Sequence, residues 1–202
     1  MLIQRPLVAA CAAALALFLP SISTLTATDS ASTTVQERAA SPEQPAPITV
    51  IVVRHAEKVA EGSDPVLTEA GAARAAELAR MLGHSGVSHV FASEFQRTQL
   101  TVAPLAAATD LEVQVISARE PAAQVAAIEA LPGGSVAVVA GHSNTVPGLV
   151  AALGGEIEGL EQHERYGPML ADDQYDRLFV VTCNPSAEDA QPVSTLELRY
   201  GE

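Results

Sequence analysis

Apolar residues fall in two kinds of run along this chain. Ile48 to Val53 and Ser135 to Ala140 are almost continuously apolar, and shorter apolar runs occupy His89 to Ala92, Leu111 to Ile116 and Leu178 to Thr182. Runs of that length without alternation suit strands covered on both faces. Between them stand Ala-rich stretches of helical character. Thr68 is an N-cap for one that reaches Leu82, Glu94 to Ala108 is a second interrupted by Pro104, Pro121 to Leu131 is a third, and Asn144 to Leu153 is a fourth. Ser194 to Tyr200 alternates through Leu196, Leu198 and Tyr200, as an edge strand does. Strands alternating with helices predict an α/β fold, a three-layer α/β/α sandwich with a mostly parallel central sheet.

The N-terminal pattern is different. Arg5 precedes the apolar run Leu7 to Leu19, Pro20 breaks it, and small polar residues follow, which is the layout of a cleaved secretory leader over residues 1–28. The run is short for a bilayer span, so no membrane span is expected. Residues 29–47, rich in Ser, Thr, Ala, Glu and Pro, read as a disordered linker because they hold too little apolar surface to offset ordering. Residues 48–202 are then one domain, exported to the periplasm.

Charge and cysteine content narrow the function classes. The net charge is −13, which argues against nucleic acid or an anionic membrane as partner. Any anionic substrate must be held by a local cluster of cations. Outside the leader Cys183 is the only thiol, so neither an internal disulfide nor a cysteine-cluster metal site can form there, and it reads as a buried, inert thiol.

The chemistry-bearing residues follow the predicted strands. Arg54 and His55 come after the first, Arg97 lies in the helix after the second, and His142 follows Ser135 to Ala140. In open α/β sheets ligands collect outside the carboxyl ends of the strands, where these groups can converge. Helix N-termini near Glu94 and Ser143 would add backbone donors for an anion. His84, His89 and His163 have no partner pattern and read as surface or loop residues. Gly141-His142-Ser143-Asn144 lacks the nucleophile elbow of serine hydrolases, so Ser143 is no nucleophile.

Arg54-His55-Ala56-Glu57, Asp64-Pro65-Val66-Leu67-Thr68-Glu69-Ala70-Gly71, Ser93-Glu94-Phe95-Gln96-Arg97-Thr98-Gln99-Leu100-Thr101 and Gly141-His142-Ser143-Asn144-Thr145 resemble, in order and type, the motifs of the histidine phosphatase superfamily. This is also called the phosphoglycerate mutase-like family, and the resemblance runs from Ile48 to Tyr200. It implies a phosphoglycerate mutase-like fold and an exported phosphomonoesterase that works through a phosphohistidine on His55. Arg54, Arg97 and His142 would hold the phosphoryl oxygens. The arrangement requires no metal and no cofactor. Its partner would be a phosphorylated small molecule or a phosphoprotein.

The proton donor to the leaving group is implied less directly. Glu120 stands near the spacing at which one branch of the family carries an acid, while Glu57 and Asp64 compete and read more simply as loop hydrogen-bonding groups. Ala56 replaces the usual Gly after the nucleophile, and fits if its φ is negative. The acidic stretch Glu156 to Glu164 reads as a solvated loop or lid margin, and Tyr175-Asp176 as a segment able to reach the pocket mouth. Lacking a long insertion, the chain is expected to have a shallow, open pocket. The alternative to an enzyme is a non-catalytic phosphate- or phosphoprotein-binding domain of the same fold.

Overall fold

A computed structural model of the protein describes residues 46–183 and 194–201. The expected leader over 1–28 and nearly all of the linker over 29–47 lie outside the described residues. The elements run β1 (Ile48–Arg54), α1 (Glu69–Leu82), β2 (His89–Ala92), α2 (Gln96–Thr109), β3 (Val113–Val115), α3 (Pro121–Glu129), β4 (Val136–Gly141), α4 (Val146–Ala152), β5 (Glu161–His163), β6 (Gly167–Met169), β7 (Arg177–Cys183) and β8 (Ser194–Arg199).

Six strands form one sheet in the order β3-β2-β4-β1-β7-β8. β1 to β4 are parallel where they pair, β7 runs antiparallel to β1, and β8 antiparallel to β7. This is the expected α/β sandwich with a mostly parallel sheet. Side chains alternate across each strand, so Val50 and Val52 of β1 face one side and Ile51 and Val53 the other. The first set packs with Phe91, Val139 and Phe179 against Ile128 of α3 and Leu149 and Val150 of α4. The second packs with Val90 and Val138 against Leu78 of α1 and Val102 and Leu105 of α2. Two covered faces are why β1 and β4 read as unbroken apolar runs. No described helix is long and apolar enough to cross a membrane.

Local chemistry explains most boundaries. Thr68 Oγ1 accepts the Gly71 N–H at 3.1 Å and caps α1. Pro121 opens α3. Pro104, expected to interrupt the second helix, sits inside α2 without ending it. The carbonyl that its ring deprives of a donor belongs to Leu100, an exposed residue, so water can satisfy it. The helix stops instead at Asp110, whose φ of 55° is left-handed.

One other expectation needs correction. Part of the acidic stretch read as a loop forms the β5–β6 hairpin, whose three-residue strands are too short to show a period. β8 is the edge strand that the alternation predicts, with Leu196 and Leu198 53% and 40% exposed.

Candidate active site

The site begins with strand register. Arg54 at the end of β1 pairs with Gly141 at the end of β4, so the residues that follow, His55 and His142, emerge side by side. The His55 N–H donates to the Gly141 carbonyl at 2.9 Å, and the two imidazole rings stand 5.5 Å apart. β2 pairs with β4 on the other side, which brings Ser93 and the first turn of α2 with Arg97 to the same edge. Arg97 Nη2 lies 3.3 Å from His142 Nδ1. Arg54, His55, Arg97 and His142, separated by as many as 88 positions in sequence, thus form one cluster.

The tautomers follow from the partners. A carbonyl can only accept, so His55 Nδ1, 2.7 Å from the Ala56 oxygen, carries the proton and leaves Nε2 as a lone pair. A guanidinium can only donate, so His142 Nδ1 accepts from Arg97 and its proton sits on Nε2, which donates to Ser93 Oγ at 2.9 Å. Ser93 continues to Thr98 Oγ1 at 2.8 Å, and Thr98 donates to the Phe95 carbonyl at 2.8 Å. Burial, then the charges of His142, Arg54 and Arg97, push the His55 pKa down to about 3 despite its backbone hydrogen bond. Burial, then Arg97, brings His142 down to about 4. Both rings are neutral at ordinary pH.

The arginines are held from behind. Arg54 Nη1 donates to the carbonyls of Ala171 at 2.7 Å and Asp172 at 3.1 Å, and its guanidinium lies 4.1 Å from the centre of the Tyr175 ring. Arg97 packs over Phe95 at 4.3 Å. Burial lowers the pKa of each below the usual arginine value, yet at that height both stay charged. Nε of Arg54 and Nε of Arg97 are buried donors with no acceptor among the described residues. The two guanidinium groups give the cluster the positive charge that suits an anion.

The competing carboxylates separate by environment. Glu57 pairs with Arg74 through both oxygens at 2.7 and 3.1 Å, which holds its pKa below the usual range despite partial burial. Arg74 also donates to the Tyr200 carbonyl, so Glu57 belongs to a structural tie between β1, α1 and β8's end. Gly71 permits that tie, because any Cβ there would run into the Glu57 carbonyl. Asp64 accepts the Gln96 N–H at 3.0 Å at the start of α2 and lies 3.8 Å from Arg97. Glu120 is the N-cap residue of α3, exposed, with no side-chain capping bond.

Several supports are not evident from sequence. Thr101 Oγ1 accepts the Ala56 N–H at 2.9 Å and donates to the Arg97 carbonyl at 2.7 Å, tying the loop after His55 to α2. Its only signal is a spacing of four from Arg97. Glu94 accepts from Ser117 Oγ at 3.1 Å and Ala118 N–H at 2.7 Å, clamping the loop before α3. Tyr175 reaches the pocket, with its ring 6.0 Å from that of His55, whereas Asp176 turns away to Arg199 at 2.9 Å. Ala56 is fully buried and is not among the positive-φ residues, so its methyl is accommodated. Arg54 and His55 are each 4% exposed, and the Tyr175 ring and the Ala171 and Asp172 carbonyls lie against Arg54. Cys183 is half-buried, and burial raises its pKa, which keeps it a thiol.

Residues 50–119 match the family model of the histidine phosphatase superfamily (branch 1). Among curated proteins none matches the sequence. Among solved structures the chain is similar to the protein histidine phosphatase SixA complexed with tungstate, at 17% identity and a TM-score of 0.56 over 75% of this chain and 96% of that one. It is similar to the proposed phosphohistidine phosphatase SixA from Nakamurella multipartitia, at 21% identity and a TM-score of 0.51 over 79% of this chain and 100% of that one. A mycobacterial glucosyl-3-phosphoglycerate phosphatase matches at 15% identity and a TM-score of 0.51 over 72% of this chain and 96% of that one. At such identities the likeness speaks for the fold, and the family match adds the motifs. Residues 50–119 thus match the model of the histidine phosphatase superfamily, and the fold of the chain is similar to that of these solved phosphatases.

Proposed function

We propose that the protein is an exported, metal-independent phosphomonoesterase acting on phosphate esters or phosphoprotein through a phosphohistidine on His55. The observation that carries the reading is His55 with Nδ1 tied to the Ala56 carbonyl and Nε2 left as a lone pair, in one cluster with His142, Arg54 and Arg97. Nε2 attacks phosphorus and the P–O bond to the leaving group breaks. Glu120 gives its proton to the departing alkoxide. Water then attacks phosphorus, the P–N bond breaks, Glu120 recovers a proton, and phosphate leaves. Arg54 and Arg97 supply the positive charge that offsets the phosphoryl oxygens. His142 steadies Arg97 by accepting the bond from its Nη2 on Nδ1.

The test is release of phosphate from a generic aryl phosphate by folded protein, with acid-labile labelling of the chain by substrate. His55→Ala should lose both, with turnover falling by on the order of 10³-fold or more. Phosphate binding with no release from acid to neutral pH would replace the enzyme by the non-catalytic binding domain. Export is tested separately, by sequencing the N-terminus of the mature protein from cells. A chain that still begins at Met1 would remove the leader from the reading.

A further inference from the structure

Beside the cluster lies a second recess that the chemistry above leaves unused. It is a cleft of about 370 Å³ between α3 and α4, walled by Ala118, Ala122 and Val125 on one side and Thr145, Gly148 and Leu149 on the other. That volume is at the lower end of the ~300–1,000 Å³ typical of ligand pockets. No charged side chain lines it, in a protein with a net charge of −13.

The cleft is joined to the catalytic cluster at both walls. Thr145 Oγ1 accepts the His142 backbone N–H at 2.9 Å, and Gly141, which also lines the cleft, is the register partner of Arg54. On the opposite wall Glu94 holds Ser117 and Ala118, and Glu94 directly follows Ser93, whose hydroxyl meets His142. The recess, uncharged and largely apolar although Ser117, Gln124 and Asn144 also line it, therefore begins at Gly141, one residue from His142.

We infer that this cleft seats the leaving group, so that the enzyme selects phosphomonoesters of compact, uncharged, apolar alcohols over those of polar or charged ones. The inference rests on the phosphatase reading of the cluster. An apolar leaving group gains by leaving water there, while a carboxylate or second phosphate would be desolvated with no cation to pair it.

Binding of two phosphonates, followed by calorimetry, tests the inference without needing turnover. Benzylphosphonate carries an apolar group and 2-hydroxyethylphosphonate a polar one. The wild type should bind benzylphosphonate about tenfold more tightly or better, within the range by which apolar pockets discriminate. Gly148 supplies the blocking variant, since a Cβ added there meets nothing within 4 Å, and Gly148→Leu fills open space on the cleft wall. Gly148→Leu should abolish the preference while leaving 2-hydroxyethylphosphonate binding unchanged, and Ala122→Phe on the exposed opposite wall should do the same. Equal binding of the two ligands by wild type, absence of binding, or equal weakening of both by both variants would overturn the inference. Hydrolysis of benzyl phosphate is followed in parallel: tight, selective binding without hydrolysis would sink the phosphatase reading alone.

Discussion

The rings of His55 and His142 meet edge to face, 5.5 Å between centres at 65°, with both nitrogens of His142 and one of His55 in hydrogen bonds. Burial penalises a charge on either ring, and a proton on one would also place a cation beside the other and beside the guanidinium groups of Arg54 and Arg97. For these reasons, in that order, their pKa values fall to about 3 and about 4.

The first prediction concerns titration. The C–H resonances of His55 and His142 should not move between about pH 5 and 8 in the phosphate-free protein, the range in which an unperturbed histidine titrates. A midpoint near 6.5 for either would contradict the packing described.

Stability should follow from the same shifts. As pH falls through about 6.5 the unfolded chain protonates these histidines while the folded chain does not. Unfolding is therefore favoured increasingly down to the folded values of about 4 and about 3, and the full contribution is present only above 6.5. Carboxylates such as Glu57 and Glu197, whose pKa values are lowered in the folded state by arginine partners, add to the loss in acid. The denaturant midpoint of His142→Gln should fall less between pH 7 and 4 than that of wild type, and equal slopes would count against the assignment.

Glu57→Gln separates structure from chemistry. The Arg74–Glu57 pair would lose its charge, and a loss of about 1.5–3 kcal/mol is expected from a hydrogen bond to a charged group. Turnover should fall by far less than the ~10²–10⁴ that removal of a general acid costs. Chemical denaturation and an alkyl phosphate assay on one preparation give both quantities, and a catalytic loss of that size would make Glu57 the donor.

Glu120→Gln should show its effect through the leaving group. Hydrolysis of an alkyl phosphate, whose alkoxide needs a proton, should slow by about 10²-fold or more, whereas a nitrophenyl phosphate should be nearly unaffected. If Asp64→Asn shows that pattern and Glu120→Gln does not, the donor is Asp64.

Much of the fold was readable from residue order. Buried strands and helix faces impose periods of their own, so β1, β4 and the helices stood out, as did Thr68 and Pro121 at helix starts. Pro104 misled because the cost of a proline depends on whether the freed carbonyl is wet, a property of burial and not of sequence. The β5–β6 hairpin was missed because three residues cannot display alternation.

The candidate site divides in the same way. Residue types and spacing alone nominate Arg54, His55, Arg97 and His142, since chemistry with phosphate needs fixed cations beside an imidazole. Tertiary structure decided what those types cannot express: which nitrogen of each ring carries the proton, that Glu57 is spent on Arg74, that Tyr175 and not Asp176 enters the pocket, and that Glu94 clamps the wall of a neighbouring cleft. The physical reason is distance. Hydrogen-bond direction and burial act over a few ångströms between residues far apart in the chain, and only the pairing of β1 with β4 and of β4 with β2 brings them within that range.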